Sequence, residues 1–113
     1  MGNAPSAEPG QGEALVAVLA GWCPHCRHFK PVLQQAAGQS PVPFRLLELD
    51  TADRSTLGRL KFGGSVPFVA LVRYGPNGLI SQAVPFRGDR TVAGLLAFVN
   101  AHQLGAATLG NGM

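Results

Sequence analysis

The sequence predicts an α/β fold: a four-stranded mixed sheet flanked by three helices, in the order β-α-β-α-β-β-α. Three observations carry that reading. Short apolar runs of strand length alternate with segments whose apolar residues recur every three or four positions. A strong hairpin signal, Gly75-Pro76-Asn77-Gly78, falls late in the chain and predicts an antiparallel pair there. A length of 113 residues suits one hydrophobic core and not two.

Residues 1–12 are rich in Gly, Pro and Ala without hydrophobic periodicity and are expected to form a disordered arm. The folded domain is expected over residues 13–104, and residues 105–113 form a Gly-rich tail. Glu13 to Ala20 is nearly all apolar, as a strand buried on both faces should be. Gly21-Trp22-Cys23-Pro24-His25-Cys26 follows at once and runs into a helix from Pro24 to about Gly38. Pro24 suits the first helical position, where an N–H has no intrahelical partner anyway. Phe29, Val32, Leu33, Ala36 and Ala37 form the apolar stripe, Pro31 should kink the helix, and Gly38 should stop it.

Pro43 to Leu49 reads as the second strand, and Asp50 or Thr51 as the cap of a short helix from about Ala52 to Lys61. Gly63-Gly64-Ser65 interrupts the chain before Val66-Pro67. Phe68 to Tyr74 and Leu79 to Phe86 are the third and fourth strands, and Pro85, which cannot donate to a ladder, puts the fourth at an edge. Thr91 should cap the last helix, with Val92, Leu95, Leu96 and Val99 facing the sheet.

Net charge is +3, with small basic groups at Arg27, His28 and Lys30 and at Arg54, Arg59 and Lys61. These read as solvated faces; a nucleic-acid surface would need a denser stripe with aromatics between the charges. No apolar run approaches the ~20 residues of a membrane-spanning helix, and no basic start precedes an apolar secretory core. Both cysteines lie in the motif, so no separate structural disulfide is available within the chain, and a cytoplasmic location is expected. Met1-Gly2-Asn3-Ala4-Pro5-Ser6 fits the loose myristoylation pattern, which makes Gly2 a candidate lipid acceptor and membrane association conditional on that modification. With no phosphate loop or cofactor signature, no cofactor is expected, and the protein is expected to be a monomer.

The two cysteines carry the chemistry. Cys23 stands just ahead of a helix, facing its unpaired N–H groups and the positive end of its dipole, which favours thiolate over thiol. Cys26 falls in the first turn, pointing further inward yet within reach of a mixed disulfide on Cys23. Cys23 is therefore the expected nucleophile and Cys26 the resolving thiol. His25, if cationic, would stabilise the Cys23 thiolate and with it the reduced pair, making the disulfide a stronger oxidant. A metal site is disfavoured: Cys23, His25, Cys26 and His28 within two helical turns cannot all converge on one ion, and structural zinc usually takes two separated pairs.

Trp22-Cys23-Pro24-His25-Cys26 after an apolar strand resembles the active site of the thioredoxin superfamily, and Pro31 matches the proline that kinks its active-site helix. Gly63-Gly64-Ser65-Val66-Pro67-Phe68 resembles the superfamily loop with a cis-proline. The resemblance implies that Pro67 packs against the sulfurs, that the Val66 backbone binds an extended substrate, and that Trp22 shields the motif. Phe86-Arg87-Gly88-Asp89-Arg90 is similar to the end of a protein disulfide isomerase domain, where Arg90 would approach the resolving cysteine. These features span roughly residues 13 to 103. The Pro24-His25 dipeptide is shared with bacterial periplasmic disulfide oxidases, whose very low thiol pKa is a known extreme.

Twelve residues ahead of the first strand cannot supply the extra strand and helix of a full thioredoxin, so the resemblance is to a minimal thioredoxin-like fold. There is one departure. The buried acid usual six residues before the first cysteine is here Ala17, which puts efficient reductase turnover in doubt. The implied function is a thiol–disulfide oxidoreductase acting on protein thiols and disulfides, biased to oxidation or isomerisation. Two alternatives stand beside it: a glutaredoxin-like, glutathione-dependent reductase, and a thioredoxin-like binding module with a vestigial motif.

Overall fold

A computed structural model describes residues 12–102. Strand β1 (Glu13–Leu19) leads through the motif into helix α1 (Pro24–Ala37). Strand β2 (Phe44–Glu48) passes through a 3-10 turn (Leu49–Thr51) into helix α2 (Arg54–Arg59). Strands β3 (Phe68–Tyr74) and β4 (Ile80–Pro85) form the hairpin, and helix α3 (Val92–His102) follows. The sheet order is β2-β1-β3-β4, with β1 and β2 parallel and the other two pairings antiparallel. The fold is thus the four-stranded mixed sheet with three helices that the sequence predicts.

Strand alternation splits the core in two. Leu15, Ala17 and Leu19 of β1, with Val69 and Leu71 of β3, face α1 and α3, meeting Phe29 and Leu33 of the one and Leu95, Phe98 and Val99 of the other. Ala14, Val16 and Val18, with Ala70 and Val72, face the opposite side, where Leu60 and the half-buried Leu57 and Phe62 cover them. Because both faces of β1 and β3 are covered, both strands must be apolar at nearly every position. Each edge is handled differently. Outer strand β2 is mostly exposed and carries Arg45 and Glu48, while β4 ends on Pro85 opposite Ala70. Charge and proline both discourage a further strand from pairing there.

The middle of the chain differs from the sequence expectation. Helix α2 is capped by Asp53, not by Asp50 or Thr51, because Leu49–Thr51 are taken up in the 3-10 turn. The Asp53 carboxylate accepts from the Ser55 hydroxyl and from the Thr56 amide at 3.1 Å, and these bonds hold its pKa below the ordinary carboxylate value. At the other end Lys61 takes a left-handed conformation (φ 63), with its N–H on Gly58 O at 3.1 Å and that of Phe62 on Leu57 O at 3.1 Å. This Schellman closure lays Phe62 back towards Leu57, using lysine where glycine is usual.

Gly38 ends α1 in a right-handed conformation (φ −68), so its value there is not a left-handed turn. α1 runs unbroken as helix through Pro31. Thr91 does cap α3, its hydroxyl accepting from Gly94 N at 2.9 Å. Phe98, absent from the expected apolar face, is buried and meets Phe86 edge-on with ring centroids 5.0 Å apart. Gly94 has a packing reason: a Cβ there would run into the Asp89 carbonyl oxygen.

Candidate active site

Cys23 is the N-cap residue of α1, with extended backbone (φ −98, ψ 115), so its sulfur occupies the place of a capping oxygen. Cys23 Sγ accepts from the Cys26 amide at 3.3 Å. Pro24 fills the first helical position. Cys26 lies one turn on and inward, where its Sγ accepts from the Ala20 amide at 3.4 Å. Both cysteines are free thiols. Cys26 points inward as expected, but Cys23 is also buried, 5% exposed against 2% for Cys26, with the Val66 carbonyl beside its sulfur. Accessibility of the residues therefore separates the two thiols less than ionisation does.

Their environments push the two pKa values apart. A hydrogen bond from the Cys26 thiol is the largest influence lowering Cys23, joined by the amides of Cys26 and His25 and by the charge of Arg27, against an opposing penalty for burial. Burial is the largest influence raising Cys26, followed by its bond to Cys23; the Ala20 amide and the Arg90 charge act against it. One sulfur is thus disposed to be thiolate and its neighbour to hold a proton, the division of labour a nucleophile and a resolving thiol need.

The second loop completes the site. The Val66–Pro67 peptide bond is cis, and the Val66 carbonyl oxygen lies 3.9 Å from Cys23 Sγ. Trp22 stands beside the motif, 61% exposed, its indole N–H donating to Asp50 at 3.4 Å. Arg90 and His25 are exposed and line a shallow depression with His28, Phe29 and Val32. The fold therefore gathers Trp22, Cys23, Pro24, His25, Cys26, Val66, Pro67 and Arg90 at one end of the sheet. Gly2, the arm and the tail beyond residue 102 lie outside the described residues.

A family model described as Thioredoxin matches residues 7–101. The chain belongs to the thioredoxin family. Among solved structures this thioredoxin-family chain is similar to human ERp44 in a zinc-bound form, with 23% identity over 81% of this chain and 27% of that one, TM-score 0.61. It is similar to the J-Trx1 fragment of ERdj5, with 24% identity over 86% of this chain and 45% of that one, TM-score 0.65. The Trx4 domain of ERdj5 aligns with TM-score 0.68 at 17% identity, over 85% of this chain and 83% of that one. The chain spans less than half of the first two, and at these identities the likeness is one of fold. No curated protein matches it.

Three residues of the thioredoxin-family site escaped sequence reasoning. Arg27, read as part of a solvated face, sends its Nε–H to the Gly21 carbonyl at 3.4 Å and its charge to Cys23. Glu48 and Asp50, at and beyond the end of β2, accept from Gly21 N at 3.3 Å and from the Trp22 indole. The parallel register that pairs Leu19 with Glu48 brings them there, and only a correct β1–β2 alignment could have shown it. Among the described residues no helix is long and apolar enough to cross a membrane, and no cluster of three or more His, Cys, Asp or Glu could hold a metal.

A first expectation follows from the opposed thiols. Brief native treatment with iodoacetamide should modify Cys23 before Cys26. The Cys23 rate should level off at a pH below the ~8.5 of a free thiol, because only the thiolate reacts. Peptide mapping across pH checks both points; labelling of Cys26 first would reverse the assignment.

Proposed function

We propose that the protein is a thiol–disulfide oxidoreductase acting on protein cysteines through Cys23 and Cys26, biased towards oxidation or isomerisation. The observation that supports it is the opposed ionisation of two adjacent thiols at a helix N-terminus, facing the cis-proline loop. In the oxidising direction a substrate thiolate attacks Sγ of Cys23 in the Cys23–Cys26 disulfide. A substrate–Cys23 bond forms, the Cys23–Cys26 bond breaks, and Cys26 leaves and takes a proton. A second substrate thiolate then attacks the substrate sulfur and expels Cys23 as thiolate. Two electrons pass to the enzyme pair and the substrate gains a disulfide.

The bias rests on charge. A thiolate held by N–H donors and by Arg27 stabilises the reduced pair, and a stabilised reduced pair is an oxidising couple. A positive charge on His25 would add to the same field. Equilibration against glutathione buffers should give a potential between about −200 and −130 mV. His25→Gly should make it more negative by roughly 30 mV or more, equivalent to about 1.4 kcal/mol for two electrons. A wild-type value near −270 mV, that of thioredoxin, would contradict the bias.

Substrate binding would use the Val66 backbone beside the cis bond as a short edge for extended chain, with Trp22 and Pro67 as its apolar walls. The proposed partners are protein thiols and disulfides.

A further inference from the structure

Behind the sulfurs, on the side away from the cis-proline loop, a cavity of about 250 Å³ opens between the start of α1 and β2. Cys26 and Glu48 both line it. We propose that Glu48 is the proton acceptor and donor for Cys26, working across this cavity during formation and breakage of the Cys23–Cys26 bond. The inference rests on the oxidoreductase reading above.

Cys26 must shed a proton to attack, yet it is only 2% exposed, and burial favours its neutral form. Directly beneath the motif the sheet offers no base: Ala17 and Leu19 are apolar and buried. The other ionisable side chains on the cavity are Arg27 and Lys30 from α1, both cations under ordinary conditions, and Arg90 and Cys23 act on Cys26 from outside it. Among the described residues Glu48 is the only carboxylate on the lining. Its Oε2 is fixed by the Gly21 amide at 3.3 Å, which anchors the side chain at the rim of the motif. A carboxylate is a competent base for a thiol proton, and the cavity is wide enough for water to relay it.

When Cys26 attacks a mixed disulfide, its S–H proton passes through water to Glu48, and its sulfur bonds to Cys23. The substrate sulfur leaves with the electron pair of the broken bond and is protonated from solvent. Glu48 then returns its proton to solvent. The reverse reaction uses the protonated carboxyl to capture the departing Cys26 thiolate.

Rapid quench with mass spectrometry separates the steps. Reduced protein is mixed with an excess of a disulfide-linked peptide, and the mixed disulfide is followed as it rises through Cys23 attack and decays through Cys26 attack. E48Q keeps an acceptor for the Gly21 amide, so the motif should stay in place. Its decay should be about tenfold slower at pH 7, with the rise within about twofold of wild type, and the gap should close at alkaline pH. Formate at constant ionic strength should restore decay in E48Q and leave wild type unchanged, and E48D should recover part of the rate.

Decay equal to wild type at every pH overturns the role of Glu48 while leaving the oxidoreductase intact. A joint loss of rise and decay with no response to formate also overturns it, marking Glu48 as merely structural. A wild type that never forms a mixed disulfide overturns both readings.

Discussion

Cys26→Ser should accumulate a stable mixed disulfide with substrate, whereas Cys23→Ser should lose exchange altogether. The two thiols do different work. Cys23 caps α1 with three sources of positive potential, the amides of His25 and Cys26 and the guanidinium of Arg27, so it can attack or be attacked without a base. Cys26 sits one turn on, where burial favours its neutral thiol, so it is poorly disposed to open an exchange itself. Removing Cys26 leaves the nucleophile but deletes the group that releases it; removing Cys23 leaves only the thiol whose pKa is raised. Cys26→Ser also deletes the thiol bond that most lowers the Cys23 pKa, though a serine hydroxyl can donate in its place. Non-reducing gels of extract incubated with each variant, against wild type, make the measurement. Absence of trapped species with Cys26→Ser, where wild type turns over, would favour a binding module with a vestigial motif.

Leu71→Ala should destabilise the protein by about 2–5 kcal/mol, the usual cost of emptying a fully buried leucine site. Leu71 is 0% exposed at the middle of β3, opposite Leu15 on β1 and Val84 on β4, under the α1–α3 layer. Neighbours on a central strand are tied to the ladder on both sides, so they cannot collapse into the void. Against a total stability of about 5–15 kcal/mol for a domain of this kind, the loss is a large share. Urea unfolding should show a lower midpoint with unchanged slope, since the surface exposed on unfolding barely alters. A loss below about 1 kcal/mol would place Leu71 outside the packed core.

The sheet and the order of elements along the chain were legible because they are written in periodicity: β1 and β3 are nearly continuous apolar runs for the plain reason that both their faces are covered. The motif cysteines were legible for the same local reason, a strand running into a Pro-started helix. Helix α2 was misjudged at its start because Asp50, Thr51 and Asp53 are all competent caps, and the choice fell to the 3-10 turn that consumes the first two. Phe98 was missed because its burial depends on Phe86, a residue outside α3. Arg27, Glu48 and Asp50 were illegible in principle from local pattern. Each acquires its role from the pairing of β1 with β2 or from the turn before α1, and a charged residue in isolation looks like any solvated surface.

The two sides of the sheet are covered by unequal amounts of helix. One side holds α1 and α3, which bury seven residues between them, Cys26, Phe29, Leu33, Ala36, Leu95, Phe98 and Val99. The other holds α2, six residues long with none of them fully buried, attached chiefly through Leu57, Leu60 and Phe62 around it. Local opening takes the path of least lost contact, so the α2 side can lift away at a fraction of the free energy of global unfolding. Such an excursion bares Val16, Val18 and Val72 and leaves the α1–α3 side closed over the sulfurs. Amide exchange should therefore be slower in α1 and α3, which carry and cover the redox pair, than in α2 on the opposite face.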